Sequence, residues 1–312
     1  MSNKKVLKTF QFDVTEEPKS IYPFAPVYKV EQGGESYIVK KTVSPIEDAM
    51  KLANFVRRLH KMGVPIVAPV PMSVDNPQQI DETAWVVYPF IKGKSYTGKD
   101  EEIYEAGKLL GQIHSLSSKN NEEGLSIYDE FDFEEQEIKE DLEEIIGHAK
   151  KRGISLDEGH LSEQMLRIIE QQETLKSLKL PAVATPYDYK ADNLIYNDNA
   201  KPYLIDPDNA VFLPRIYDLA LALLLFHNAL ATAPDRIFDI KQWTLFKKGY
   251  FQFVEIIDIE RKYWHDVVRH IFLDEGIWLM ADFEEGWDDQ RQVNFFKSLL
   301  SLISDMEFYD LK

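Results

Sequence analysis

The sequence predicts an α+β protein in two parts, a small β-rich segment over residues 1–90 and a larger, mainly helical segment over residues 94–312. Three observations carry this. Residues 27–30 (Val-Tyr-Lys-Val) and 37–40 (Tyr-Ile-Val-Lys) flank Glu31-Gln-Gly-Gly-Glu35, whose two glycines accept positive φ, so the two runs pair as a hairpin. Beyond residue 94, apolar residues recur at helical spacing, as in Tyr104, Leu109, Ile113 and Leu116. A second, shorter hairpin is written into Leu194–Tyr196 and residues 203–205, separated by the polar turn 197–201. Strands first and helices after them is the order of an α+β fold.

Taken along the chain, residues 5–45 read as strands. The stretch 19–26 before the first hairpin contains no glycine, so its backbone lacks the usual freedom to approach phosphates; Ser20 offers a hydroxyl or amide instead. Ser44 as N-cap and Pro45 at the first helical position open a helix to about Met62, with Ala49, Leu52, Ala53, Val56 and Leu59 on one face. Its only acids, Glu47 and Asp48, lie in the first turn, where the helix dipole favours them. Residues 85–93 (Trp-Val-Val-Tyr-Pro-Phe-Ile-Lys-Gly) form a buried strand ending in a Pro/Gly break. Within it the Pro89 backbone can accept a hydrogen bond but not donate one, while Ile91 can donate.

Residues 101–117 form an amphipathic helix on which His114 is expected to be packed and hydrogen-bonded. An acidic, helix-forming stretch over 120–177 is broken at Gly153, and a strongly apolar helix covers 216–230. Residues 235–312 alternate aromatics and acids on helices; among them Asp274, Glu275 and Trp278 could bind a cationic or sugar-like molecule by charge and stacking, or simply form surface and core.

The chemistry concentrates in residues 186–210. Asn193 stands just before the first strand of the short hairpin and Asp206 just after the second, so the hairpin brings a carboxamide and a carboxylate to the same end. Two such oxygens suit one hard cation such as Mg2+. Asp188, five residues before Asn193, would sit in the loop above them, free to take a proton from an incoming hydroxyl. A loop Asp, a loop Asn and a post-strand Asp are the parts of a kinase phosphoryl-transfer site. Lys190 completes an Asp-x-Lys-x-x-Asn pattern and could reach a transferred phosphate. An ordinary acidic hairpin with Asn and Asp in turn roles has the same composition.

At these residues the chain resembles the aminoglycoside phosphotransferase and choline kinase-like family, which has the protein-kinase fold. The family pattern His-Gly-Asp-x-x-x-x-Asn, Ile-Asp-Phe-Gly or Ile-Asp-Trp-Glu, then Asp-Leu-Ala, corresponds to Asp188, Asn193, Leu204-Ile205-Asp206 and Asp218-Leu219-Ala220. Pro186 and Tyr187 replace His-Gly, and Pro207-Asp208 follow Asp206. Residues 63–70 resemble the family's Gly-Val-Pro-x-Pro connector, and residues 109–114 its Leu-Ala-x-Leu-His helix. The resemblance implies a two-lobed fold with ATP and Mg2+ between the lobes. Lys40 would then point at the α- and β-phosphates, held by an acid of the following helix, with Glu47 preferred. Pro89 and Ile91 would meet the adenine, Asp188 would act as base, and Asp218 would bond loop backbone. The last helices would wall the site of a small-molecule hydroxyl acceptor.

With 53 acidic and 36 basic residues the net charge is −17, which argues against a nucleic-acid partner and is compatible with a cationic small substrate. The absence of cysteine excludes disulfides and thiol catalysis. The first residues lack a signal-peptide core, and the apolar run 219–226 is far short of the ~18 residues of a membrane span, so a cytoplasmic protein is expected. Three other readings share these features: a kinase-fold enzyme acting on protein hydroxyls, a catalytically silent nucleotide-binding or structural protein, and a metal hydrolase using Asp206 and Asp208.

Overall fold

The structure is a computed structural model that describes residues 2–23, 25–42 and 44–311. Four antiparallel strands form a sheet in the order β1-β2-β4-β3: β1 (Val27–Gln32), β2 (Glu35–Lys41), β3 (Gln78–Ile80) and β4 (Thr83–Pro89). The β1–β2 turn is made by Gly33 and Gly34, both at positive φ, and pairs Gln32 with Glu35. Alternation gives the sheet two different faces. Tyr28, Val30, Val39, Trp85 and Val87 pack with Val6, Leu7, Phe10 and Phe12. Ile38, Val86 and Tyr88 share the other side with Val67, Ile91, Tyr203 and Ile205.

The amino terminus departs from expectation. Instead of a strand, Asn3–Thr9 is a helix, α1, whose Val6 and Leu7 pack with the following Phe10 against the sheet. The Ser2 hydroxyl accepts from the Lys5 N–H at its start. The next helix, α2 (Ile46–Lys61), has Pro45 itself at the N-cap with no side-chain cap, so Ser44 does not cap it. Residues Leu52, Phe55, Val56 and Leu59 of α2 join the large helical core rather than the core beneath the sheet.

That large core is built from α3 (Asp100–Leu116), α4 (Glu135–Lys151), α5 (Glu158–Ser177), α6 (Arg215–Leu225), α7 (Ile240–Tyr250), α8 (Asp258–Ile271), the short α9 (Trp278–Ala281) and α10 (Gln290–Ser304). All of α6 from Ile216 to Leu224 is buried, as its composition requires. The acidic stretch resolves into α4 and α5 around Gly153 at positive φ, with residues 120–134 irregular. No helix of the described residues is long and apolar enough to cross a membrane.

Embedded among these helices are two small ladders, β5 (Ala182–Thr185) with β8 (Val211–Pro214) and β6 (Leu194–Tyr196) with β7 (Pro202–Leu204). Backbone bonds tie the second ladder to both neighbouring segments. Lys94 and Tyr196 exchange N–H and carbonyl at 2.8 Å, and Leu204 bonds Pro65 and Val67 at 2.9 Å.

Helices α3 and α7 approach closely at three glycines. A Cβ on Gly107 would lie 2.0 Å from the Phe246 carbonyl oxygen, one on Gly111 2.4 Å from that of Tyr250, and one on Gly249 2.0 Å from that of Tyr104. Backbone cannot yield as a side-chain end does. Gly107→Ala should therefore destabilise the fold by at least about 1–3 kcal/mol, the usual cost of overpacking. Gly147→Ala in α4, where a Cβ meets nothing within 4 Å, should be neutral or stabilising by up to ~1 kcal/mol. Denaturant midpoints of the two variants test the contrast.

Candidate active site

The β5–β8 register explains how distant residues meet. Thr185, the last residue of β5, pairs with Val211, the first of β8. The loop leaving β5, which carries Asp188, and the loop entering β8, which carries Asp206 and Asp208, therefore emerge at one end of the ladder. The β6–β7 register, Leu194 with Leu204, brings Asn193 to the same place, where the Ile205 N–H donates to its carbonyl at 2.9 Å.

Asp188 sits in a tightly braced loop. Tyr187 and Asp188 both have positive φ, 46° and 53°. Such conformations are sparsely populated by non-glycine residues and persist where surrounding contacts over-determine them. Here the contacts are visible. The buried Tyr189 hydroxyl donates to the Ala106 carbonyl of α3 at 2.8 Å, and the Ala191 N–H donates to Phe226 at 3.0 Å. Beneath the loop, the Asp218 carboxylate accepts from the Thr185 hydroxyl and faces the His114 ring at 2.7 Å, while the other His114 nitrogen meets the Tyr250 hydroxyl at 2.8 Å. His114 is thus packed and bonded as expected. Asp218 reaches side chains rather than loop backbone, which corrects the expected partner while leaving it a buried brace.

Asn193, at the end of a single 3-10 turn (Ala191–Asn193), donates its side-chain amide to the Asp188 carbonyl at 2.9 Å and carboxylate at 3.3 Å. Lys190 is 2.9 Å from the same carboxylate. Burial raises the Asp188 pKa above the usual carboxylate range, against the lowering pull of Lys190 and Asn193.

Lys40, on the β2 face shared with Ile38, lies 2.6 Å from Asp206 and 2.9 Å from Asp208. Burial lowers its pKa, but the two carboxylates outweigh this and the net shift is upward. Glu47 is not its partner: it is exposed, and Asp48 is engaged with Lys51 at 2.8 Å. Among the described residues no acid of α2 pairs with Lys40. The physical reason is place: α2 carries its acids in its first turn, one exposed and the other bonded to Lys51, whereas Asp206 and Asp208 reach the amine itself.

The third component comes from the end of α8. There the helix widens into one π-helical turn (Phe272–Gly276), with the Ile277 N–H bonding the Phe272 carbonyl at 2.9 Å. Turns of this kind recur at functional sites because they re-aim side chains. Asp274 accepts hydrogen bonds from the Tyr128 hydroxyl at 2.7 Å and the Tyr187 hydroxyl at 3.2 Å. Glu275 is pushed up to about 7 by burial first, then by Asp274, with Asp188 adding to the same effect. Asp188, Lys190, Asp274 and Glu275 therefore form one electrostatic cluster. Trp278 is apart from these contacts, 37% exposed and packed on Phe283 with ring centroids 5.6 Å apart.

At the end of β4 the Phe90 N–H is committed to Ser36 at 3.0 Å, and antiparallel alternation turns the Pro89 carbonyl to the other edge. Ile91 lies in the apolar cluster with Val67, Val86, Tyr88, Ile38, Tyr203 and Ile205, directly preceding Asp206. Phe90 instead lies beneath the Lys29 amine, 4.3 Å from ring centre to nitrogen. Ser20 is taken up by its own loop, where its hydroxyl donates to Tyr22 and Ala25 carbonyls and accepts from Val27 N–H.

Sequence reasoning passed over Tyr128, Tyr187 and Asn209, whose amide is 3.5 Å from Asp188, and considered Asp208 only as a hydrolase residue. The two-residue spacing of Asp206 and Asp208 was the available signal for the latter. Among the described residues no group of three His, Cys, Asp or Glu side chains is arranged to hold a metal. Magnesium, however, is commonly bound through one or two protein oxygens and completed by phosphate and water. The Asn193 oxygen and the Asp206 carboxylate, which bonds Lys40 through one oxygen and is 40% exposed, fit that role.

A family model described as the phosphotransferase enzyme family (APH) matches residues 25–251. No curated protein matches the chain. Among solved structures, an amicoumacin kinase in complex with AMP-PNP, Ca2+ and Ami has 16% identity and a TM-score of 0.66, covering 98% of this chain and 94% of that one. A microcompartment-associated aminopropanol kinase has 13% identity and a TM-score of 0.64, covering 96% of both chains. The choline kinase LicA from Streptococcus pneumoniae has 13% identity and a TM-score of 0.56, covering 96% of this chain and 98% of that one. These likenesses establish the two-lobed protein-kinase-like fold, and the match over residues 25–251 establishes that the chain belongs to the phosphotransferase enzyme family.

Proposed function

We propose that the protein transfers the γ-phosphoryl group of ATP to a hydroxyl of an amine-bearing small molecule. Residues 1–90 would carry the nucleotide, and residues 94–312 the catalytic loop and acceptor site. The reading rests on one observation above the others: at the ends of two small ladders Asn193 meets Asp188 and Lys40 meets Asp206, although these residues arise from separate elements.

Asp188 receives the proton of the acceptor hydroxyl as its oxygen bonds to the γ-phosphorus and the bond to the β-phosphate oxygen breaks. Asn193 holds Asp188 by its amide, and Lys190 offsets the charge beside it. Asn193 and Asp206 would hold Mg2+, which when bound neutralises charge on the phosphate oxygens. Lys40 binds α- and β-phosphate oxygens, and the Pro89 carbonyl and Ile91 N–H orient the adenine above the Val67, Val86 and Ile205 side chains. Nucleotide complexes of the amicoumacin kinase and of a spectinomycin phosphotransferase with AMP support a nucleotide donor.

The acceptor's amine is read from Asp274 and Glu275. Two carboxylates beside Asp188, with Lys190 as the nearby cation, leave an excess of negative charge that an ammonium group would neutralise. The aminopropanol and choline kinases are consistent with such an acceptor. Trp278 stands outside this cluster and is given no role in it.

Three measurements test the reading. Magnesium–ATP at about 100 times its dissociation constant should stabilise the fold by about 2.7 kcal/mol; no thermal shift would argue against a nucleotide site. Asp188→Asn should lose at least about a hundredfold in turnover with folding intact, since a positioned base contributes roughly 10²–10⁴. Full activity in that variant would remove Asp188 from the mechanism. The acceptor kcat/KM should rise with pH through about 7, as Glu275 ionises, and then level. Glu275→Gln should abolish that inflection and weaken acceptor use at pH above 7 by about tenfold or more, the worth of a charge-assisted bond. An unchanged profile would show that Glu275 does not meet the acceptor.

A further inference from the structure

We propose that Asp208 is the residue that keeps Lys40 aimed at the nucleotide phosphates, so that Asp206 is left to the metal. The inference rests on the nucleotide-binding part of the reading above.

Lys40 has two carboxylates, and they are not equivalent. The Asp206 side chain is 40% exposed, whereas that of Asp208 is 13% exposed. A divalent cation arriving from the cleft would take the outer carboxylate. It would then compete with the amine for Asp206 and repel it across a short distance. Without a second anion the lysine would be driven out of the site as the metal entered. Asp208 supplies that anion, 2.9 Å from the amine and largely withdrawn from solvent.

Two further features suit a fixed anchor. One Asp208 oxygen is buried with no hydrogen-bond partner, so the ion pair with Lys40 is its main compensation. The Tyr88 hydroxyl lies alongside, within hydrogen-bonding reach of the carboxyl. Pro207 holds the intervening backbone at fixed φ, which limits how far Asp208 can swing from Asp206. Helix α2 offers no substitute, because Glu47 is exposed and Asp48 is bound to Lys51. A buried carboxylate that loses its cation is costly, so the lysine and Asp208 should behave as one unit.

The test is the affinity for magnesium with a non-hydrolysable ATP analogue, measured by titration calorimetry without acceptor on the full chain. Asp208→Asn and Lys40→Met should each weaken binding about tenfold, and the double variant should be no weaker than the worse single within about twofold, because coupled residues are non-additive. Asp208→Glu should recover part of the loss, which a merely structural role would not produce. Tyr88→Phe keeps the volume and removes the hydroxyl beside Asp208. It should weaken binding about threefold, again non-additively with Lys40→Met, and it serves if Asp208→Asn does not fold. Wild-type affinity in Asp208→Asn, or additive losses in either cycle, would overturn the assignment. So would a loss in Glu47→Gln equal to that in Lys40→Met. A wild-type chain that binds no analogue would sink the nucleotide reading and this one together, whereas wild-type binding with an indifferent Asp208→Asn sinks this one alone.

Discussion

An ammonium group held between two carboxylates joins the sheet to the helical body. Lys40 comes from β2, Asp206 and Asp208 from the loop entering β8, and their contacts at 2.6 and 2.9 Å close the space between the two parts. A largely buried lysine needs such compensation, because desolvation alone would lower its pKa and favour the neutral amine. The same demand fixes geometry. The β2 register must present Lys40 on the face of Ile38, and the hairpin must stop after Leu204 so that Asp206 turns upward.

The hairpin's position follows from backbone bonding on both flanks. Segment 65–67 bonds β7 on one side, and Lys94 bonds β6 on the other. Gly93 permits the second approach, since a Cβ there would lie 2.6 Å from the Tyr196 carbonyl oxygen. The segments before and after the sheet's last strands therefore both terminate on the same short ladder. The ladder is held by backbone bonds on both flanks, and a shift of the hairpin would move Asn193 and Asp206 as a pair.

Strain gathers on the opposite wall. Tyr187 takes a left-handed backbone conformation where the family pattern carries glycine, and its ring is engaged in return. Its hydroxyl reaches Asp274 on the π-helical turn, beside Tyr128. The Asp188 loop and the last helices are thereby coupled through a side chain that glycine would not possess. Asp274 gains two hydroxyl donors, while burial first, and then Asp274 and Asp188 nearby, push the Glu275 pKa up.

Local rules made much of this legible before any coordinates. The Gly33–Gly34 turn, the apolar faces of α2, α3 and α6, and the β6–β7 hairpin each follow from short-range periodicity and turn chemistry, as did the placing of Asn193 and Asp206 at one end. The misreadings share a cause. Residues 5–9 read as strand because the contacts that fold them as a helix are to a sheet distant in sequence, and Glu47 reads as the partner of Lys40 because both lie in one neighbourhood of the sequence. Helical spacing says that Asp274 and Glu275 lie on a helix, but not that a π turn re-aims them or that Tyr128 and Tyr187 meet them. Nor does any local pattern reveal that β5 and β8 pair across 25 intervening residues and so gather the Asp188 and Asp206 loops. Residue types and their spacing depend on bonds between near neighbours. Which carboxylate receives the lysine depends on packing between segments far apart in the chain, and that is settled by the folded core.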